Sequence, residues 1–188
     1  ALIMPFMEND TLSEYLKKII KIDTKKFIYL FDRLFEIILQ SSVHVSKEYS
    51  TFNCGDDSLD IGAILEKAYI DMIPINCFYN NGDFIFFDQE FTREFYPAKY
   101  VIFRALKYTY FFVKDADKYV PIEFMKNRYG LSSIWDLFEK EEYDFVSKNR
   151  RYSINRGFFS RAYVDKELMY KNALRLLDKS WNYLPEKW

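Results

Sequence analysis

Asp71-Met72-Ile73-Pro74-Ile75-Asn76 places an acid and a primary amide five residues apart, and Asp88-Gln89-Glu90 follows twelve residues later. A carboxylate can orient or deprotonate a hydroxyl. An amide oxygen and a second carboxylate are hard donors, the kind a divalent cation such as Mg2+ prefers. Phosphoryl transfer needs these residue types in this order: an acid at the acceptor hydroxyl, then two oxygen ligands on the ion bridging the nucleotide phosphates. An Asp and an Asn at this spacing mean little by themselves. The pattern gains weight from Pro74 inside the loop and from a strand reversal that returns the chain toward it.

That reversal is the element on which the chemistry depends. Cys77-Phe78-Tyr79 and Phe84-Ile85-Phe86-Phe87 are β-prone runs on either side of Asn80-Asn81-Gly82-Asp83. Asn81 and Gly82 both tolerate the positive φ of a type I′ turn, so the segment predicts an antiparallel hairpin that brings Asp88 back beside Asn76. The surrounding pattern is helical. Thr11-Leu12-Ser13-Glu14 has capping-box spacing and predicts a helix over 11–21. Asp23 or Thr24 caps a longer one with Phe27, Leu30, Phe31, Leu34, Ile37 and Ile38 on its buried face. Polar and glycine-rich residues at 46–62 predict a loop or insertion, and 61–68 reads as a short helix or strand. Tyr100 to Val113 is apolar nearly all round, a helix for the domain centre. Further helices are predicted at 121–129, at 133–148 with Ser133 as cap, and at 165–181 with Asp165 as cap. The fold class is mainly α with a small β-hairpin, an α+β arrangement.

Composition narrows the function classes. Nineteen Phe and 16 Tyr, within 49% hydrophobic residues, supply a packed core. The 27 basic and 28 acidic residues leave a net charge of −1, so no long-range field favours nucleic acid. Cys54, Cys77 and the single His44 cannot form a zinc finger or a two-histidine metal centre. His44, at the end of an apolar helical run, is expected to be structural. Sparse cysteine suggests a reducing, cytoplasmic compartment. No apolar run reaches the roughly 18 residues of a transmembrane helix, and the opening residues lack the positive flank of a signal peptide.

Tyr69-Ile70-Asp71-Met72-Ile73-Pro74-Ile75-Asn76, followed by Phe86-Phe87-Asp88-Gln89-Glu90, resembles the protein-kinase-like superfamily. The match is nearest to its small-molecule branch, the aminoglycoside and choline phosphotransferases and bacterial cell-surface sugar kinases. Those enzymes read H-x-D-x-x-x-x-N, then strand–turn–strand, then an Asp followed closely by Trp or Glu. Met4-Pro5-Phe6-Met7-Glu8 and Thr11-Leu12-Ser13-Glu14-Tyr15-Leu16 resemble the inter-lobe hinge and first large-lobe helix. The resemblance covers residues 1–113 in order and the tail only as generic helices. It implies a kinase-like large lobe lacking the N-terminal lobe, with a hinge-like segment at 1–10, a catalytic loop and metal-binding hairpin at 69–90 and a helical subdomain at 98–188.

By this resemblance Asp71 is the catalytic base, Asn76 and Asp88 hold Mg2+, and ATP is the phosphoryl donor. Glu90 is either a further metal-side carboxylate or an acidic residue at a strand end. Tyr69 stands where the family has histidine, Gln89 follows the metal-binding Asp, and the His44–Lys67 stretch is longer than usual. Glycines 55, 62, 82, 130 and 157 form no G-x-G-x-x-G, and no upstream sheet offers a phosphate-anchoring Lys. The chain is therefore expected to be a fragment with half an ATP site, inactive alone. No Ala-Pro-Glu-type segment follows Asp88, so a small-molecule or glycan acceptor fits better than a protein substrate. The other reading is a noncatalytic kinase-derived module attached to a glycosyltransferase or methyltransferase of surface-polysaccharide synthesis. Outside the motif, the Phe84–Tyr96 aromatics, Trp181 and Trp188 are expected to be packing residues, and Arg150, Arg151, Arg156 and Arg161 a solvated basic stretch.

Overall fold

Capping chemistry sets the first two helices. The computed structural model describes residues 10–56 and 58–164, with 150–164 given as helical backbone. Thr11 caps α1 (Leu12–Ile19): its hydroxyl accepts from the Glu14 N–H at 3.2 Å, and Glu14 accepts from the Thr11 N–H at 2.9 Å. The expected capping box is formed, which satisfies two otherwise orphaned donors. The Asp23 carboxylate accepts from the Lys26 N–H at 2.9 Å and opens α2 (Thr24–Gln40). Phe27, Leu30, Phe31, Leu34 and Ile38 are buried on its inner face, and Ile37 lies at the margin.

After β1 (His44–Val45), the loop foreseen at 46–62 is present. Gly55, Ser58 and Gly62 donate their N–H groups to the side chains of Asn53, Asp56 and Asp60, each at 2.9 Å. These are Asx turns, in which a short polar side chain replaces a backbone partner. Phe52 pins the loop to the core, its ring 5.7 Å from Tyr96 and 5.1 Å from Phe138.

The ambiguous segment at 61–68 is strand β2 (Ile64–Tyr69). The hairpin follows as β3 (Cys77–Asn80) and β4 (Asp83–Phe86), paired from Cys77↔Phe86 to Asn80↔Asp83. Asn81 has φ 50 and Gly82 φ 108, both positive as a type I′ turn demands. Residues 92–97, for which the sequence suggested no element, form β5 (Thr92–Pro97). Strand β2 lies between β1 and β5, antiparallel to both. The protein is α+β, and a three-stranded antiparallel sheet corrects the expectation of a lone hairpin among helices.

Helix α3 (Ala98–Phe112) is buried on every side from Ala98 to Leu106. Two cations lie in that buried stretch. Lys99 donates to the Asp60 carboxylate and carbonyl, both at 2.8 Å, and to the Gly130 carbonyl at 3.1 Å, which ties down the 46–62 loop. Arg104 belongs to the candidate site below.

Short helices α4 (Ala116–Tyr119) and α5 (Ile122–Arg128) precede α6 (Trp135–Val164). The predicted start at Ser133 and end at Lys148 need correction. Gly130, at φ 61, closes α5 with the Leu131 N–H on the Lys126 carbonyl at 2.7 Å. This Schellman-type ending and the turn after it use up Ser132 to Ile134, so α6 begins at Trp135. By internal packing the chain divides into units Ala1–Phe138 and Glu139–Trp188, and everything considered below belongs to the first. The hinge-like segment before Asp10, the predicted helix at 165–181, Trp181, Trp188 and the side chains of Arg150, Arg151, Arg156 and Arg161 lie outside the described residues. No described helix is long and apolar enough to cross a membrane.

Candidate functional site

Residues 70–91 form an excursion closed at its neck by β2 and β5. The last ladder pair is Tyr69↔Thr92, and one step further the Ile70 N–H donates to the Phe91 carbonyl at 3.2 Å. Asp71, Asn76, the hairpin and Asp88 all lie inside this closed loop.

Buried Met72, Ile73 and Pro74 anchor the first part of the excursion in the core. Pro74 opens a 3-10 turn over Pro74–Asn76, where its missing N–H costs nothing. The Asp71 carbonyl is the hub. It accepts from the Ile73 N–H at 2.7 Å, from Gln89 Nε2 at 2.9 Å and from Asn76 Nδ2 at 3.4 Å. Gln89 Nε2 also reaches the Phe87 carbonyl at 2.8 Å. The Phe87 N–H in turn donates to the Asn76 carbonyl at 3.0 Å, which extends the hairpin by one rung.

Asp88 is therefore bracketed: its preceding neighbour bonds to Asn76 and its following neighbour to Asp71. The strand reversal does return residue 88 to the loop of residues 71 and 76. Asp88 has φ 55, a left-handed conformation that Asp tolerates better than most residues. Its carboxylate is exposed and makes no hydrogen bond or ion pair among the described residues.

Asp71 is placed differently. Its side chain is 11% exposed and its Oδ1 accepts from Arg104 Nη1 at 2.7 Å. The same guanidinium nitrogen also donates to the Ile70 carbonyl. Arg104 was not singled out in the sequence, although an arginine flanked by Phe103 and Ala105 in a mostly apolar helix is a visible signal for a buried acidic partner. Gln89 was noted only as a departure from the family pattern, yet it stitches the two halves of the site together.

Residues outside the motif have structural roles. Lys67 lies 5.2 Å from the centre of the Tyr69 ring. Burial pushes the Cys77 thiol up to about 12 and keeps it neutral at the base of the hairpin. His44 is out of the site, with Nε2 2.7 Å from the Leu39 carbonyl.

The donor set fits a hard divalent cation in part. Asn76 commits its amide nitrogen to the Asp71 carbonyl, leaving Oδ1 as the donor atom, and Asp88 offers a carboxylate. Gln89 Oε1 is buried with no hydrogen-bond partner, an oxygen whose lone pairs suit a cation or its bound water. No three His, Cys, Asp or Glu residues gather as a metal group among the described residues. Asp71, Asp88 and Glu90 are thus not a three-carboxylate centre. Glu90 is exposed, next to the Phe91 that closes the neck.

No protein-family model, curated protein sequence or solved structure matches this chain. The structure defines an α+β protein in which a hairpin excursion brings the amides of Asn76 and Gln89 onto the Asp71 carbonyl and returns the backbone of residue 88 to that loop.

Proposed function

We propose that the chain carries the large, mainly helical lobe of a kinase-like phosphotransferase acting on a hydroxyl of a small molecule or glycan, with ATP as donor. Asp71 orients the acceptor hydroxyl, and Asn76 and Asp88 are the residues that would hold Mg2+, Asp88 being next in the chain to Gln89, whose Oε1 is buried without a partner. A bound Mg2+ would neutralise charge on the phosphates as the phosphoryl group moves. The observation carrying this reading is the bracketing of Asp88 by bonds from its two neighbours to Asn76 and Asp71. Phosphoryl transfer depends chiefly on positioning and charge stabilisation, and such a closed loop supplies positioning. Arg104 fixes the Asp71 carboxylate in one orientation, which suits holding a hydroxyl in line.

The same ion pair favours a second reading. Asp71 is then a structural strut and the chain a noncatalytic module joined to a glycosyltransferase or methyltransferase. A titration with Mn2+ in place of Mg2+, read by paramagnetic broadening of amide resonances, separates the two. The phosphotransferase reading expects saturable broadening centred on residues 76 and 87–89, weakened at least about tenfold in Asp88→Asn. Broadening that is absent, or that persists unchanged in that variant, removes the metal site and leaves the module.

A further inference from the structure

A cleft of about 770 Å3 opens at the other end of the hairpin, between its turn and helix α2. Each hairpin strand has four residues, so the turn stands about 13 Å from the base that meets the Asp71 loop. The cleft is thus separate from the candidate phosphotransfer site. Its size falls within the ~300–1,000 Å3 common for small-molecule sites.

Its floor is one stripe of α2. Lys26, Tyr29, Leu30 and Arg33 follow a three-one-three spacing that keeps them on a single helical face. The facing wall is aromatic: Tyr79 and Phe84 are a cross-strand pair with ring centroids 5.5 Å apart, and Tyr15 of α1 lies 4.6 Å from Tyr79. Asn80 and Asn81 put primary amides at the mouth, and Asp10 adds a carboxylate already paired with Lys18.

This lining selects a ligand chemistry. An apolar guest leaves the amides and charges facing it without partners. A multiply charged anion meets Asp10, and Arg33 is already paired with Glu36. A sugar satisfies both surfaces: its C–H face packs on aromatic rings, and each hydroxyl both donates and accepts, serving amide, carboxylate and ammonium alike. Lys26 adds one further preference. Its ammonium lies 5.0 Å from the centre of the Tyr29 ring and makes no ion pair among the described residues, and Tyr29 is 50% exposed. One unmatched cation beside one open ring suits a saccharide with a single acidic group on the sugar that stacks there.

We propose that this cleft binds an acidic saccharide, with Tyr29 as the stacking platform and Lys26 as the partner of the acid. The proposal does not depend on the phosphotransfer reading. It is tested by titrating the chain with a trisaccharide that bears one acid, glucuronosyl-maltose, its uncharged counterpart maltotriose, hexaglutamate and inorganic phosphate, followed by amide and aromatic chemical shifts. The trisaccharide is expected to bind saturably and to shift Tyr29, Tyr79, Asn80 and Asn81. Tyr29→Ala should weaken it at least about tenfold, and Lys26→Ala should reduce it to the level of maltotriose. Both positions face solvent enough for the variants to fold. The proposal is overturned if the trisaccharide does not saturate, if either variant keeps wild-type affinity, or if shifts fall away from the cleft. Hexaglutamate or phosphate binding as well as the trisaccharide also overturns it, since charge alone then explains the site. The Mn2+ titration reads the other end of the hairpin, so either result stands without the other.

Discussion

Arg104→Met removes a guanidinium while keeping much of the side-chain volume, and it isolates the interaction that holds Asp71. The Arg104 and Asp71 side chains are 5% and 11% exposed and their charged atoms are 2.7 Å apart, so solvent screens the pair little. At an effective dielectric of about 20 the gross attraction at that separation is about 6 kcal/mol, and desolvation of both charges offsets much of it. Breaking a buried pair from one side costs about 3–5 kcal/mol, because the surviving charge stays out of water. For a chain of this length each kcal/mol moves Tm by about 2–4 °C, so the midpoint should fall by roughly 6–20 °C. The assays are thermal unfolding for the midpoint and urea unfolding for the free energy, each followed by tryptophan fluorescence and by far-ultraviolet circular dichroism. Asp71→Asn combined with Arg104→Met removes both charges and should recover at least about 2 kcal/mol against the sum of the single variants. Recovery will be incomplete, because the guanidinium also serves the Ile70 carbonyl. A loss below about 1 kcal/mol for Arg104→Met, or additivity within about 0.5 kcal/mol in the double variant, refutes the reasoning.

Local geometry sets three further outcomes. Gly62 and Gly55 have similar φ, 75 and 70, yet a Cβ at Gly62 meets the Lys99 side chain at 3.0 Å while one at Gly55 meets nothing within 4 Å. Both alanine variants incur the left-handed backbone cost of about 1–2 kcal/mol, and Gly62→Ala alone disturbs the Lys99 tie; equal urea midpoints for the two would contradict that account. Cys77 is buried and its thiol is raised from 9.0 to about 12, whereas Cys54 is partly exposed. Iodoacetamide at mildly alkaline pH should label Cys54 first and Cys77 only on unfolding. The sign of the linkage is fixed: below 9 both states keep the Cys77 proton, and between 9 and 12 the unfolded state releases it first. Stability should fall with rising pH across that window, and a Cys77→Ser variant that shows the same fall would trace it to other groups.

The legible parts of the fold were the local ones. Thr11 and Glu14 are three residues apart, Asp23 adjoins the helix it caps, and Asn81-Gly82 carries its turn preference in two residues. The α2 core face was readable because a 3.6-residue period repeats over 17 residues. What escaped notice was non-local. Strand β5 sets its charged pair Arg93-Glu94 beside its aromatic pair Phe95-Tyr96 and so lacks a two-residue alternation, and its partner β2 lies across the whole 70–91 excursion, with no turn signal to join them. The 133–148 helix was misplaced at both ends, since the ending of α5 at Gly130 claims Ser133 and no strong breaker stops α6 at Lys148. In the candidate site the motif residues were found by type and spacing. Arg104 and Gln89 were not assigned there, because their roles arise from approach across 33 and 18 residues of chain.

The two aspartates of the site answer different questions when neutralised. Asp71 is buried against a guanidinium, so any substitution there mixes chemistry with the cost of a disturbed ion pair. Loss of activity at Asp71 alone cannot separate an acceptor-orienting acid from a strut. Asp88 is exposed, contributes no side-chain bond among the described residues, and holds a left-handed backbone that asparagine adopts as readily. Asp88→Asn therefore leaves the fold, the hairpin rung at Phe87 and the Gln89 clasp in place while removing one negative charge. A surface residue with no structural work, kept in an uncommon conformation by bonds from both its neighbours, is where backbone strain points toward function. Whatever changes in that variant reports on ligands of the carboxylate, and the functional reading rests on Asp88 more than on Asp71.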